Sequence, residues 1–439
     1  MIQPNIPETG MPRVVIVGGG FGGINLAKKL KNAPVQVVML DRNNYHLFQP
    51  LLYQVSTAGL ETDSIAFPLR GIFKHQPNFF FRMAEVTGVR PAENILETGI
   101  GDLHYDYLVL ATGSTTNFFG NKIIEEHAIG MKSLIEAVQI RNYVIKQFEE
   151  SLLLGDEEQI KSKLNFVMVG GGPTGVELAG AFAELRKYIM PKDYPELPVS
   201  LMNIYLIEGS GRILNGMSEH SSRKSLESLE KLGVKVLCNA VVKEYDGKTL
   251  VLSNGETLKT QSLLWAAGVK GVPVAGIPQQ SILPNGRIQV NEFNLVNGTL
   301  NIYAIGDIAQ MVNDPKFPKG YPMVAQVAIQ QGGNLAENIV KMIKSAGRGL
   351  KAFKYNDLGS MATIGRNHAV AEFAGMKLSG FMAWMVWMAV HLMSLLGFRN
   401  KLVVFSNWFY RYFTFDRGTR IIIKRGAANI VKLRQTVVS

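Results

Sequence analysis

Apolar positions along the chain fall into two recurring patterns. Short unbroken runs, such as Arg13–Val17 and 164–169, lead straight into glycines and predict parallel strands buried on both faces. Stretches with apolar residues at helical spacing follow them, over 22–30 and from Gly175 to about Lys187. A strand then ends at Asp41 in the first case and over 203–208 in the second. Each strand–helix–strand series predicts a βαβ unit. The segment 43–60 has no clear period and reads as a long ordered loop. Further strands are expected at 106–113, 234–238, 262–268 and 301–309, with helices over 133–153, 219–232 and from about Val324. The "NG" of TLVLSNGETL, flanked by alternating apolar residues, predicts a hairpin.

The two βαβ units carry the same punctuation. Gly18, Gly20 and Gly23 spell G-x-G-x-x-G between strand and helix, and Gly170, Gly172 and Gly175 repeat it. The first glycine of such a loop allows the tight turn, the second lets a pyrophosphate approach the backbone, and the third packs helix on strand. The phosphates then meet free N–H groups at the positive end of the helix. Asp41 and Glu208 end the strands that follow, where a carboxylate can accept from a ribose 2′-hydroxyl. At Glu208 the negative charge also repels a 2′-phosphate and favours NADH over NADPH, although Arg212 nearby weakens that preference. Two loops imply two dinucleotides, one nicotinamide and one flavin, with a hydride passed between them.

Composition narrows the acceptor. The chain has 439 residues and is 47% hydrophobic and 18% charged, enough for two or three domains with large cores. Its one cysteine, Cys238, rules out a disulfide framework, a cysteine redox pair and a zinc cluster, so no metal site is expected. Net charge is +11, of which a net six lie in the 27 residues Arg399–Arg425 (Arg399, Lys401, Arg411, Arg417, Arg420, Lys424 and Arg425 against Asp416). Seven aromatics sit among them between Phe405 and Phe415. Just upstream, residues 378–398 contain no Lys, Arg, Asp or Glu. On a helix, Gly380, Trp384, Trp387, His391 and Ser394 form one stripe. This greasy, basic end fits a pair of helices lying in a membrane interface on anionic lipid, or a single span across 378–398. No nucleic-acid motif accompanies the charge, and no nucleic-acid partner is expected. The N-terminal thirteen residues hold no signal-peptide or presequence pattern, so the catalytic body is expected on the cytoplasmic face.

The two loops, together with LVLATGS (108–114) and IYAIGDIA (302–309), resemble the two-dinucleotide-binding-domain flavoproteins related to glutathione reductase. The resemblance implies FAD on the first loop and NADH on the second. It places Thr112 and Gly113 at the crossover between domains, Asp307 on the FAD ribitol and phosphates with Gly306 allowing close approach, and Val86 against the adenine. Asp307 also fits a plain helix N-cap. Arg42 beside Asp41, and Gly268 at the end of SLLWAAG (262–268), complete the candidate cofactor set.

Three stretches sharpen the resemblance to the type II, non-proton-pumping NADH:quinone oxidoreductases: YHLFQPLLYQVSTAGL (45–60), GGGPTGVELAGAFAE (170–184) and AQVAIQQG (325–332). Ala325 and Gln326 open a helix whose N–H groups can stabilise reduced flavin. Gln326 and Gln330, four apart on one face, can hydrogen-bond a quinone carbonyl. Glu177 either compensates the helix dipole or assists proton and hydride traffic. Lys401 resembles a quinone-entrance lysine, while His46 and His391 read as structural. The resemblance further implies monotopic attachment to the inner membrane and a homodimer.

The expected architecture is α/β. Two Rossmann-like dinucleotide-binding domains (11–125 with 286–355 for FAD, 160–285 for NADH) precede a C-terminal membrane-associating helical segment, 356–439. The expected activity is oxidation of NADH through FAD with reduction of a membrane quinone. The alternatives are a soluble-acceptor NADH oxidase or reductase of a protein partner, and an NADH-binding redox sensor.

Overall fold

A computed structural model describes residues 4–345 and 347–422. The first half runs β1 (Arg13–Val17), α1 (Phe21–Lys29), β2 (Gln36–Asp41), α2 (Leu52–Ser56), β3 (Phe79–Met83), β4 (Tyr107–Leu110) and α3 (Leu134–Ser151). The second βαβ series is β5 (Asn165–Val169), α4 (Pro173–Glu184), β6 (Asn203–Ile207), α5 (Glu219–Lys231), β7 (Val234–Leu237) and β8 (Ser262–Trp265). The chain then returns through β9 (Ile302–Ala304) and α6 (Ala325–Ser345). It ends in β10 (Ser360–Gly365), β11 (His368–Phe373), β12 (Met376–Ser379), α7 (Gly380–Ser394) and α8 (Phe398–Thr414).

Two parallel sheets form the body. One has the order β9-β4-β1-β2-β3. The other runs Ile129–Gly130, β8, β5, β6, β7. The apolar runs are buried on both faces, as parallel strands between helices require: Val14–Ile16 and Phe166–Met168 have no exposed area. A third, antiparallel sheet, β10-β11-β12, carries α7 and α8. The TLVLSNGETL hairpin forms as Thr249–Leu252 against Thr257–Lys259.

Three expectations change. The 43–60 segment is not a loop throughout: Tyr45–Leu47 is a strand, Gln49–Leu51 a 3₁₀ turn and α2 a helix. Phe48, Leu51, Leu52, Tyr53 and Val55 are all buried, and burial on every side erases any period. The second loop's helix stops being α-helical at Glu184 and widens into a π turn over Leu185–Ile189 before Pro191. The single-span alternative for 378–398 fails, because α7 has 15 residues and the chain breaks at Leu395–Gly397, with Gly397 at φ +78°. Among the described residues no helix is long and apolar enough to cross a membrane.

Candidate functional site

The glycine loops come first. At φ +110°, Gly18 and Gly170 adopt a conformation that disfavours any side chain. A Cβ on Gly23 or Gly175 would lie 2.0 or 1.9 Å from the carbonyl oxygen of Gly18 or Gly170. These four glycines are demanded by the fold. Gly20 and Gly172 are not: their φ values are −76° and −70°, and a Cβ would meet nothing within 4 Å. A glycine the fold does not require, facing open space at a helix N-terminus, fits a backbone kept bare for a pyrophosphate.

Each loop is braced by its acid. Asp41 accepts from the Gly19 N–H at 2.6 Å and the Asn43 N–H at 2.7 Å. Burial raises its pKa, opposed by those two bonds and by Arg42, which is exposed beside it. Glu208 accepts from Gly171 at 2.5 Å and Ser210 at 2.7 Å. Arg212 is turned away onto Asn215.

The remaining flavin-side candidates gather at the carboxyl ends of β4 and β9. Thr112 donates to the Val272 carbonyl at 2.9 Å, and Gly113 has φ +71°. Gly306 (φ +75°) donates its N–H to Gln331 of α6 at 2.7 Å, and Ala328 lies where a Gly306 Cβ would point. Asp307 lies second in the 3₁₀ turn Gly306–Ile308 and not at its N-cap, which is Ile305; Ser114 donates to it and Lys132 pairs with it at 3.3 Å. Val86 starts a strand and packs half-buried on the core of this sheet. Ala325 is the first residue of α6. Gly268 accepts from the Asn117 N–H at 3.0 Å.

The quinone-side candidates are all engaged by main chain. Gln326 donates to the Gly359 carbonyl at 2.9 Å and accepts from the Leu358 N–H at 2.9 Å. Gln330 brackets the main chain of Asn356 in the same way, at 2.8 and 2.9 Å. Both amides staple the approach to β10 against α6. Lys401 donates to the Met393 carbonyl at 2.7 Å and so caps the end of α7.

The cavity lies elsewhere, between α2, α4, β10, α7 and α8, and holds about 80 Å³. Its lining combines the apolar Tyr53, Trp387, Trp408 and Met388 with the charged Glu177, Glu184, Arg366, Arg411 and Arg417. Glu177 is 9% exposed, and burial pushes its carboxyl up to about 8. The Thr363 N–H at 3.4 Å and the Trp387 indole N–H, directed at the carboxylate, oppose that rise. Glu184 is a hub: it accepts from the Arg366 backbone N–H at 2.6 Å and pairs with Arg417 at 3.1 Å. Arg417, 3% exposed, also donates to Thr57 and Ala181, and burial with the charge of Arg411 lowers it to about 9. Arg411 donates to Gly59 at 2.7 Å. The Arg366 guanidinium lies 3.6 Å from the centre of the Phe415 ring and caps the last carbonyls of α8, those of Arg411 and Tyr412.

A run of ring contacts joins this cavity to the first loop. Phe21, the residue after Gly20, meets His46 at 4.9 Å and Phe48 at 5.9 Å; Phe48 meets His391 at 6.2 Å, and His391 stacks on Trp387 at 4.1 Å. Burial lowers His46 and His391 to about 4, so both are neutral near pH 7. That supports their reading as structural.

The packing fixes which way the α7 stripe faces. Trp387 and His391 point inward, and Trp384 stacks on Tyr412 at 5.7 Å. Arg411, Arg417 and Arg420 are turned into the protein, Arg420 onto Asp193 and Asp416. Of the seven basic residues, Lys424 and Arg425 lie outside the described residues, as does the end of the 356–439 segment. The outward face is apolar: Phe381, Met385 and Met393 on α7, and Phe398, Phe405 and Phe409 on α8. Sequence reasoning missed Glu184, Arg411, Arg417 and Trp408. The α8 residues were readable: Asn400, Val404, Trp408 and Arg411 step by 4, 4 and 3, one helical face.

Comparison with known proteins adds the family. The pyridine nucleotide-disulphide oxidoreductase profile matches residues 12–332, and that of the NDH2 C-terminal domain matches 358–417. The chain is 34% identical over 451 residues to the type II NADH:quinone oxidoreductase Ndh of Mycobacterium tuberculosis, covering 99% of this chain and 96% of that one. It is 31% identical over 389 residues to the type II NADH:quinone oxidoreductase of Haemophilus influenzae, covering 81% and 85%. Its fold matches that of NDH2 from Plasmodium falciparum, solved with NADH, at TM-score 0.85, 22% identity and coverage of 94% and 100%.

Proposed function

We propose a division of labour on one premise: the chain belongs to the type II NADH:quinone oxidoreductases, flavoenzymes that oxidise NADH through FAD and reduce quinone without pumping protons. The Gly18–Gly23 loop, with Asp41, Arg42, Val86, Thr112, Gly113, Gly306, Asp307 and the Ala325 end of α6, holds FAD. The Gly170–Gly175 loop, with Glu208 and Gly268, holds NADH. When bound, FAD supplies the two-electron acceptor that links the donor to the quinone.

One observation carries this reading. Gly20 and Gly172 are the two loop glycines that the fold leaves sterically free, and both stand at helix N-termini. The anionic pyrophosphates gain bare N–H groups and the helix dipole.

The cavity beside Glu177 takes the quinone head group. Its lining joins aromatic rings suited to a flat ring (Tyr53, Trp387, Trp408) with polar groups (Glu177, Arg366, Arg411). Glu177, protonated below about pH 8, holds a proton at its carboxyl oxygen for the reduced quinone. The Trp387 indole N–H, beside Glu177 on the same cavity lining, is a second donor there. Arg417 and Glu184 keep α4 and the C-terminal segment in register around it.

The outward apolar face of α7 and α8 rests in the membrane interface. Phe398 and Met393 are 76% and 72% exposed, and so contiguous an apolar surface marks a membrane or protein contact. Anionic lipid at the cytoplasmic face of the inner membrane, and a second copy of the chain, are its proposed partners. With most described arginines of this segment turned inward, apolar area carries the binding.

The test is anaerobic. Detergent-purified protein receives one equivalent of NADH and then a short-chain quinone, followed at the flavin absorbance. NADH should bleach the band and quinone should restore it. Bleaching without recovery would reject the acceptor, and no bleaching would reject the donor.

A further inference from the structure

We infer that Phe119 is a contact residue for the nicotinamide half of NADH; this rests on the assignment of NADH to the second loop. In the second sheet β5 lies between β6 and β8, so the chain reverses direction of winding at β5. Ligands of such sheets bind outside the carboxyl ends of the strands at that reversal. The crevice there is flanked by the Gly170–Gly175 loop and by Ala266–Gly268. The two approach closely enough that a Cβ on Gly170 would lie 2.5 Å from the Ala266 carbonyl oxygen. Glu208 follows β6 and marks the ribose of the adenosine half. The opposite side, over β8 and Gly268, is left for the nicotinamide.

Phe119 stands on that side, although it comes from the connection that leaves the first sheet. Ser114–Thr116 pairs antiparallel with Val269–Gly271. The Asn117 N–H donates to the Gly268 carbonyl at 3.0 Å, and the Trp265 indole donates to the Asn117 carbonyl at 2.8 Å. These bonds hold the loop at the edge of the crevice. The Phe119 ring then lies 3.1 Å from where a Gly268 Cβ would be.

Packing accounts for little of this side chain: its ring meets Trp265 at 6.4 Å, tilted by 59°, and is otherwise open. Phe119 has φ +52°, a left-handed conformation that a bulky residue rarely adopts, and its ring is 67% exposed. Its neighbour Phe118 already anchors the loop, packing half-buried against Trp265 at 5.6 Å. A strained backbone that presents an aromatic face to water over a bare glycine is suited to receive a second flat ring.

Three variants of the full-length, FAD-loaded enzyme test this: Phe119→Ala, Phe119→Tyr and Phe119→Gly. Losing one stacking surface weakens binding by about tenfold. Phe119→Ala should therefore raise the KM for NADH, and the dissociation constant of NAD+ by calorimetry, by about tenfold. Its quinone KM and its FAD content should not change. Phe119→Tyr should bind as the wild type does. Phe119→Gly should weaken NAD+ binding like Phe119→Ala, with a ligand-free Tm at or above that of the wild type, because the strain is relieved. Unchanged NAD+ binding in Phe119→Ala, or Phe119→Tyr behaving like Phe119→Ala, would overturn the inference while wild-type bleaching by NADH upheld the loop assignment. Failure of the wild type to bleach would overturn both.

Discussion

The first and second glycine loops repeat each other atom for atom in their bracing. A Cβ on Gly18 would lie 2.3 Å from the Ala111 carbonyl oxygen, and one on Gly170 would lie 2.5 Å from that of Ala266. Asp41 and Glu208 each accept from the glycine just after the first of their loop, Gly19 and Gly171. The helices that follow differ in what they lean on. Helix α1 packs on α6, so closely that a Cβ on Gly332 would lie 2.6 Å from the Gly22 carbonyl oxygen. Helix α4 packs on β10, where a Cβ on Gly180 would lie 1.8 Å from the Ile364 carbonyl oxygen. The first loop is thus supported within its own domain. The second is joined by one helix to the C-terminal segment, and that helix carries Glu177 and Glu184 into the cavity wall. Identical loop chemistry serves two roles because the surroundings of the helix differ.

The largest effects should come where the loops are alike. Gly18→Ala and Gly170→Ala each force a side chain into a φ of +110° and into a carbonyl. Each should cost about 3 kcal/mol or more, measured by denaturant midpoint. A large difference between them would break the equivalence.

The next effect should separate the two helices. Arg417→Ala leaves Glu184 without its buried partner, for a loss of about 3–5 kcal/mol. Quinone reoxidation should slow while NADH bleaching persists, because the donor loop sits at the far end of α4. Stopped-flow measurement of the two half-reactions checks this.

Glu177→Gln should act through pH. The carboxyl is raised from 4.5 to about 8, so the folded state binds the proton more tightly than the unfolded state. Wild-type stability should therefore fall as pH rises from 4.5 towards 8, and Glu177→Gln should remove that part of the slope. The quinone half-reaction of the wild type should decline above about pH 8, and that of the variant should be lower and flat. A pH titration of Tm and of both half-reactions decides it.

The smallest effect should fall on Glu208. Both its oxygens hold backbone N–H groups, which a glutamine can satisfy only in part, and its charge opposes a 2′-phosphate. Glu208→Gln should weaken the preference for NADH over NADPH by a few-fold, roughly 1 kcal/mol, with FAD content unchanged.

What the sequence made legible follows from this contrast. Both loops, their acids and the sheets around them were readable, because strand–glycine–helix chemistry is local and each residue type has one mechanical reason to be there. The cavity was not. Gln326 and Gln330 share a helix face as their spacing requires, but spacing does not say that the main chain of 356–359 passes over that face. Arg411 and Arg417 looked like a lipid-facing charge until Glu184, more than two hundred residues away, received one of them. Trp387 belonged to a correctly drawn stripe whose direction only tertiary packing could set. Long-range ion pairs and the facing of a helix leave little trace in local pattern.

The claim that the two loops divide the dinucleotides between them is tested most directly by Gly20→Val and Gly172→Val. Both sites have ordinary φ and open space, so both variants should fold. Flavin content and anaerobic bleaching are then measured side by side. Gly20→Val should purify without FAD. Gly172→Val should retain FAD that dithionite reduces and NADH does not. FAD retained in the first variant and lost in the second, or lost in both, would contradict the assignment.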